Sequence, residues 1–189
     1  MDLDLHHITA DGLSDVREVL VDLYVEIYAT QRDVPFYSRE QITERLDIHT
    51  SCDAWEAVIA YCQGEPIGYA YGARLPTGSG WWTDTDPPLP AEFTEENGTR
   101  TMALFEIMVR ESWRKTGTAE RIHAELLSGR EEERITLLVD LEHAGVKNLY
   151  ERWGYKSIGS KQPFPDSPRY TVMVRNMHED LTLVPHGRS

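Results

Sequence analysis

The segment Arg114-Lys115-Thr116-Gly117-Thr118-Ala119 constrains the fold more than any other in this chain. It lies between an apolar run, Ala103–Val109, and an amphipathic one, Glu120–Leu127, so it reads as the turn between a strand and a helix. A strand that feeds a helix through a loop containing glycine gathers unpaired backbone N–H groups at one point, and such a point binds anions. Two adjacent cations there add positive potential in a chain whose net charge is −13, where most of the surface repels phosphate. The segment is not a P-loop, which needs Gly-x-x-x-x-Gly-Lys-Ser/Thr, nor a dinucleotide turn, which needs Gly-x-Gly-x-x-Gly.

It reads Arg-x-x-Gly-x-Ala, and so resembles the Gln/Arg-x-x-Gly-x-Gly/Ala signature with which the GNAT superfamily of acetyl-CoA-dependent N-acyltransferases grips the pyrophosphate of coenzyme A. A second segment, Asn148-Leu149-Tyr150-Glu151-Arg152-Trp153-Gly154-Tyr155, resembles the family's Leu-Tyr-x-x-x-Gly-Phe and follows at about the family's spacing.

The order of elements agrees with that resemblance. Leu3–Thr9 reads as a strand, and Leu13, Val16, Val19, Leu20, Leu23 and Ile27 recur at helical spacing behind a cap at Ser14 or Asp11, in a helix ending near Thr30. Ser38-Arg39-Glu40-Gln41 reads as a capping box opening a second helix through about Ile48. Ala54–Cys62 and Ile67–Leu75 form a hairpin over Gln63-Gly64-Glu65-Pro66. Pro76–Arg100 is long for a connection, hence functional or mobile. A strand Thr101–Arg110, a helix Gly117–Ser128, a strand Arg134–Leu141 and a helix Glu142–Trp153 stopped by Gly154 follow. Tyr155–Ser160 and Tyr170–Asn176 read as final strands around a Pro163–Pro168 loop. The resemblance implies the GNAT fold, an α/β (α+β) arrangement with a mixed, mostly antiparallel sheet of about seven strands flanked by about four helices. One domain is expected over residues 1–177, with a frayed tail at 178–189.

At 189 residues and 40% hydrophobic composition the chain can bury a sizeable core. A pI near 4.9 argues against nucleic acid as a partner and makes cationic small molecules or basic peptides easier ones. The first residues lack a positive region followed by an apolar one, and no run reaches the roughly 18 apolar residues of a membrane span. A cytoplasmic protein is expected. Cys52 and Cys62 lack CxxC spacing, and His6-His7 would point to opposite faces of a strand, so neither a disulfide framework nor a metal site is expected.

Acyl transfer from a thioester to an amine needs a base for the ammonium proton, polarisation of the carbonyl and an acid for the departing thiolate. The resemblance implies that Leu104–Val109 splays from Leu137–Asp140, and that the backbone of Ile107, Met108 and Val109 meets the pantetheine arm. Arg114, Lys115, Thr116, Gly117, Thr118 and Ala119 would then hold the pyrophosphate. Glu106, a carboxylate inside an apolar strand, reads either as the general base or as a residue on a solvated face. Tyr150 occupies the family's thiolate-protonating position, the alternative being an aromatic core residue beside Leu149 and Trp153. His143 stands where the family more often has a cofactor-binding Asn, seven residues before the Tyr, and Asn148 is a second candidate contact.

For the acceptor, the resemblance points to Tyr28, Asp33, Tyr37, Trp81 and Trp82, with Asp84 and Asp86 close to the tryptophans. Packing of the long connection, or of a homodimer contact, is the favoured reading of Trp81-Trp82. The expected function is transfer of an acetyl group from acetyl-CoA to a primary amine of a small molecule or exposed peptide, by direct attack. The alternatives are a non-catalytic acyl-CoA-sensing or interaction module, and transfer of another acyl group such as succinyl with Arg74 or Arg169 reading its carboxylate.

Overall fold

The computed structural model of the chain describes residues 3–31, 33–163 and 167–178. The expected tail from residue 179 onward, and residues 164–166 of the last expected loop, lie outside the described residues. The strands are β1 (Asp4–Thr9), β2 (Glu56–Cys62), β3 (Glu65–Arg74), β4 (Thr101–Val109), β5 (Arg134–Asp140), β6 (Lys156–Lys161) and β7 (Tyr170–Asn176). The helices are α1 (Leu13–Ile27), α2 (Arg39–Thr50), the short α3 (Ala91–Thr94), α4 (Thr118–Leu127) and α5 (Ala144–Arg152). The strand order is β1-β2-β3-β4-β5-β7-β6, antiparallel except where β4 runs parallel to β5. This is the mixed, mostly antiparallel sheet expected from the order of elements.

The chain divides into two compact units, one made of Met1–Ala73 with Leu104–Arg130, the other of Arg74–Ala103 with Glu131–Ser189. In the first, β1, β2 and β3 form an antiparallel meander. Gln63 and Gly64 both have positive φ, 54° and 83°, as a tight two-residue hairpin turn of primed type requires. Ala57, Ile59, Tyr69 and Tyr71 alternate onto one face and join Leu20, Leu23 and Tyr24 of α1 and Ile42 and Leu46 of α2 in a buried cluster. Val58 and Ala60 are buried from the opposite face, where α4 packs on β2 and β1. Gly68 permits β3 and β4 to approach closely, since a Cβ there would lie 2.6 Å from the Met108 carbonyl oxygen.

The caps were legible for one helix and misread for the other. Ser38 accepts a hydrogen bond from Gln41 N at 3.2 Å and starts α2 as expected. Helix α1 begins behind Gly12 without a side-chain cap, because Ala10–Gly12 forms a 3-10 turn that leads straight into it. Neither Asp11 nor Ser14 caps it, and the helix closes at Ile27 before a further 3-10 turn at Ala29–Gln31.

In the second unit, Thr101–Ala103 pair in parallel with Arg134–Thr136, β5 pairs along its length with β7, and β7 with β6. The long connection is tied down within this unit. Glu96 is buried, and its Oε1 accepts hydrogen bonds from Trp82 Nε1 at 2.8 Å, Thr101 Oγ1 at 2.8 Å and Arg134 at 2.9 Å. The Arg134 guanidinium lies 4.8 Å from the Trp82 ring and 4.3 Å from the Phe93 ring. Trp81 Nε1 donates to Thr136 Oγ1 at 3.2 Å, and Lys161 Nζ donates to the Trp81 carbonyl at 2.6 Å. The tryptophans therefore pack the long connection onto strands of their own unit. Arg74 pairs with buried Glu132, and Arg169 with Asp86 and Ser160.

Candidate active site

Strand β4 is buried at both ends but partly open at Phe105, Glu106 and Ile107. Glu106 stands between Phe105, which packs against the cluster built by α1, α2 and β3, and Met108, which belongs to it. Its surroundings are rich in aromatic side chains. Desolvation pushes the Glu106 carboxyl up to about 7, opposed only in part by the positive charge of Arg45 on α2. Among the described residues no hydrogen bond or ion pair engages the carboxylate, and its charge reaches the phenols of Tyr24, Tyr69 and Tyr71. Tyr69 Oη is buried without a hydrogen-bond partner among the described residues. The solvated-face alternative for Glu106 does not fit this environment. A carboxyl that titrates near neutral pH and is not neutralised by a bound cation suits proton abstraction.

The polar residues that α2 brings to this cluster were not predicted. His49 stacks on Phe105 with ring centroids 3.9 Å apart and planes 5° from parallel, and its Nδ1 lies 3.3 Å from Tyr71 Oη. Burial and the nearby Arg45 charge hold His49 down to about 4, so it is neutral at physiological pH. Ile42, Arg45, Leu46 and His49 form the inward stripe of α2, at helical spacing. An arginine and a histidine on the apolar stripe of a helix are the signal that could have identified these residues from sequence. Tyr28 and Tyr37, expected near the acceptor, stack on one another at 4.7 Å and 22°, and Tyr24 lies 4.6 Å from Tyr28.

The anion loop belongs to the same unit. After β4, Glu111–Trp113 makes one 3-10 turn, and Lys115 and Gly117 then take positive φ, 63° and 84°. Gly117 occupies the N-cap position of α4 and offers no side-chain cap, so the N–H groups of the first turn lack an internal acceptor. A Cβ at Gly117 would meet nothing within 4 Å, so the approach to those N–H groups is open on that side. Arg114 and Lys115 are exposed beside it. Thr116 Oγ1 donates to the Trp113 carbonyl at 2.7 Å and thus accepts from Thr118 Oγ1 at 2.8 Å. Both hydroxyl protons are used inside the loop, and what the threonines offer an anion is their N–H groups. Two cations, a left-handed glycine and an uncapped helix start suit a pyrophosphate.

The remaining sequence-predicted residues lie in the second unit. His143 is exposed at the N-cap of α5, with no side-chain capping bond, and Asn148 is exposed on the same helix. Tyr150 is 6% exposed, its ring edge-on to Trp153 and Tyr155 at 5.5 Å each. Gly154, with φ of 88°, follows the C-cap residue Trp153 and ends the helix in the left-handed conformation. A cavity of about 430 Å³ in this unit is lined by residues of the long connection, among them Leu89 and the acceptor candidates Trp82 and Asp84, and by none of the catalytic or cofactor-binding residues expected from sequence. Among the described residues no group of three His, Cys, Asp or Glu side chains could hold a metal, and no helix is long and apolar enough to cross a membrane. Cys52 and Cys62 are free, and burial pushes the Cys52 thiol up, away from a reactive thiolate.

Comparisons with known proteins give a consistent result. A sequence model of the acetyltransferase (GNAT) family matches residues 17–155, which span both units. No curated protein matches the chain significantly. Among solved structures, an acetyltransferase of the GNAT family from Staphylococcus aureus is 13% identical with a TM-score of 0.63, the alignment covering 94% of this chain and 100% of that one. An acetyltransferase from Thermus thermophilus is 15% identical with a TM-score of 0.60, over 94% of this chain and 98% of that one. The PaiA N-acetyltransferase from Thermoplasma acidophilum, solved in complex with coenzyme A, is 13% identical with a TM-score of 0.54, over 93% and 99%. At these identities the likeness to the solved structures is one of fold.

Proposed function

Because the chain belongs to the acetyltransferase (GNAT) family, we propose that it transfers the acetyl group of acetyl-CoA to a primary amine by direct attack, in the cytoplasm. The observation that carries this reading is Glu106: a carboxyl raised to about 7, with no hydrogen bond or ion pair among the described residues, on the strand where some members of the family it resembles place a base. Glu106 takes the proton of the incoming ammonium, directly or through one water, and the free amine attacks the thioester carbonyl. Arg114, Lys115 and the N–H groups of Thr116 to Ala119 hold the pyrophosphate, and the backbone of Ile107, Met108 and Val109 pairs with pantetheine. Tyr150 returns a proton to the thiolate, a role that rests on the family resemblance, as do cofactor contacts by His143 and Asn148. The coenzyme A complex of the PaiA N-acetyltransferase supports the choice of donor. The high thiol pKa of Cys52 speaks against a covalent acyl-cysteine route.

The test is release of free thiol from acetyl-CoA across a panel of amines. Acceleration over the hydrolysis blank by at least one amine is expected; tight acetyl-CoA binding with no acceleration by any amine would favour a sensing module instead. The donor site has its own test. Gly117→Asp sets a negative charge where the pyrophosphate is placed, and at this exposed loop the repulsion is worth roughly tenfold or more in acetyl-CoA affinity. Gly117→Asn, of equal size and similar tolerance of positive φ, is the control for backbone strain and should lose much less. Calorimetry showing equal affinity for the two variants would remove the loop from the donor site.

A further inference from the structure

Arg45 sets a requirement on the acceptor that the base alone does not. In the first unit Arg17, Arg39, Arg110 and Arg130 each pair with a carboxylate. Arg45 is half-buried, yet among the described residues no carboxylate lies within ion-pair distance of it. Its guanidinium is fixed by other means: it donates to the Phe36 carbonyl at 2.9 Å and to Tyr24 Oη at 2.7 Å, and lies 4.3 Å from the Phe36 ring centroid. These bonds use two of its five N–H donors and leave a positioned fork without a counter-ion. Glu106 is the complementary case, a half-buried carboxyl with no ion pair among the described residues. Arg45 is bonded to Tyr24 at 2.7 Å, and Tyr24 shares one buried cluster with Met108 and with Phe105, the strand neighbours of Glu106. The two charges therefore share one neighbourhood, and each acts on the Tyr24 phenol, without forming an ion pair.

Opposite charges held apart in a poorly solvated cluster are each completed by a ligand that carries both. We propose that the acceptor is an amine bearing its own carboxylate, an amino-acid-type zwitterion, with its carboxylate on Arg45 and its amine toward Glu106. This inference rests on the acetyltransferase reading and narrows it. The acidic surface suggests polyamines or basic peptides, but a second cation beside the reacting amine would meet Arg45, so these are the disfavoured acceptors. Arg45 is thus a specificity-determining residue.

The test uses matched pairs with the intact protein: phenylalanine against phenethylamine, and leucine against isoamylamine, following thiol release from acetyl-CoA. Each amino acid is expected to exceed its decarboxylated partner in kcat/KM by roughly 10- to 100-fold, the range of charge-assisted hydrogen bonds to a carboxylate, with the difference mainly in KM. Arg45→Met is expected to collapse that ratio toward unity, and Arg45→Lys to restore part of it. If Arg45→Met does not fold, the ratio measured on the unaltered protein still decides. Turnover of amines with no preference for a carboxylate would overturn the inference and leave the acetyltransferase reading intact. Failure of every amine, with or without a carboxylate, would overturn both.

Discussion

Glu106→Gln is expected to reduce kcat/KM on the order of 10²- to 10⁴-fold, the usual contribution of a positioned base. The loss has a particular pH profile. An ordinary carboxylate, ionised far below neutrality, would make the deficit largest at low pH, where free amine is scarcest. Because the Glu106 carboxyl titrates near 7, below that pH the unaltered enzyme loses its base as steeply as the variant loses free amine, so the deficit levels off there at its maximum. It shrinks as pH rises from about 7 toward the pKa of the acceptor, where solvent deprotonates the amine. A deficit that stays constant across that upper range would remove Glu106 as the base.

The same substitution has a second readout of opposite sign. Burial raises the folded-state pKa from 4.5 to about 7, so between those values the folded protein binds more protons than the unfolded chain. Stability present below the lower value is lost as pH rises through the upper one. Above pH 7 the ionised group costs the fold on the order of 3 kcal/mol. Gln, neutral at every pH, removes that cost, so Glu106→Gln should raise the thermal midpoint by several degrees above pH 7 while lowering turnover. A carboxylate retained for structure would give the reverse, a variant that melts earlier.

Tyr150→Phe carries the second large effect. A phenol that protonates the thiolate is worth a similar 10²- to 10⁴-fold in kcat, whereas acetyl-CoA affinity should stay nearly unchanged. Phe preserves the ring packing against Trp153 and Tyr155, which keeps the comparison free of a large cavity. Single-turnover rates and thermal midpoints on the same preparation separate the outcomes. Unchanged turnover in a stably folded variant would remove Tyr150 from the mechanism.

What the sequence disclosed followed from periodicity and local chemistry. The order of elements along the chain, the Ser38 cap, the hairpin turn after Cys62 and the helix stop at Gly154 all rest on residues within one or two turns of each other. Glu106 could be singled out because a charge inside an apolar strand is conspicuous; whether it faced water or a cavity depended on residues brought from α1, α2 and β3. Arg45 and His49 went unread for the same reason. Their importance comes from facing Tyr24, Tyr71 and Phe105, and no spacing within α2 announces those partners. The pairing of Glu96 with Arg134 spans residues far apart in the chain, so Pro76–Arg100 read as an irregular connection when its side chains build part of a core.

That anchored connection bears on how the protein can be engineered. By length and by its content of proline and glycine, Pro76–Arg100 invites the insertion of an epitope tag, a fluorescent fusion or new chain termini. Splitting it would separate Trp82 from Glu96 and expose the Arg134 guanidinium, leaving a buried carboxylate without its counter-charge. The two-residue turn at Gln63-Gly64 is short, yet it is exposed and a Cβ at Gly64 would meet nothing within 4 Å. The shorter turn, not the longer connection, is the permissive position for a graft.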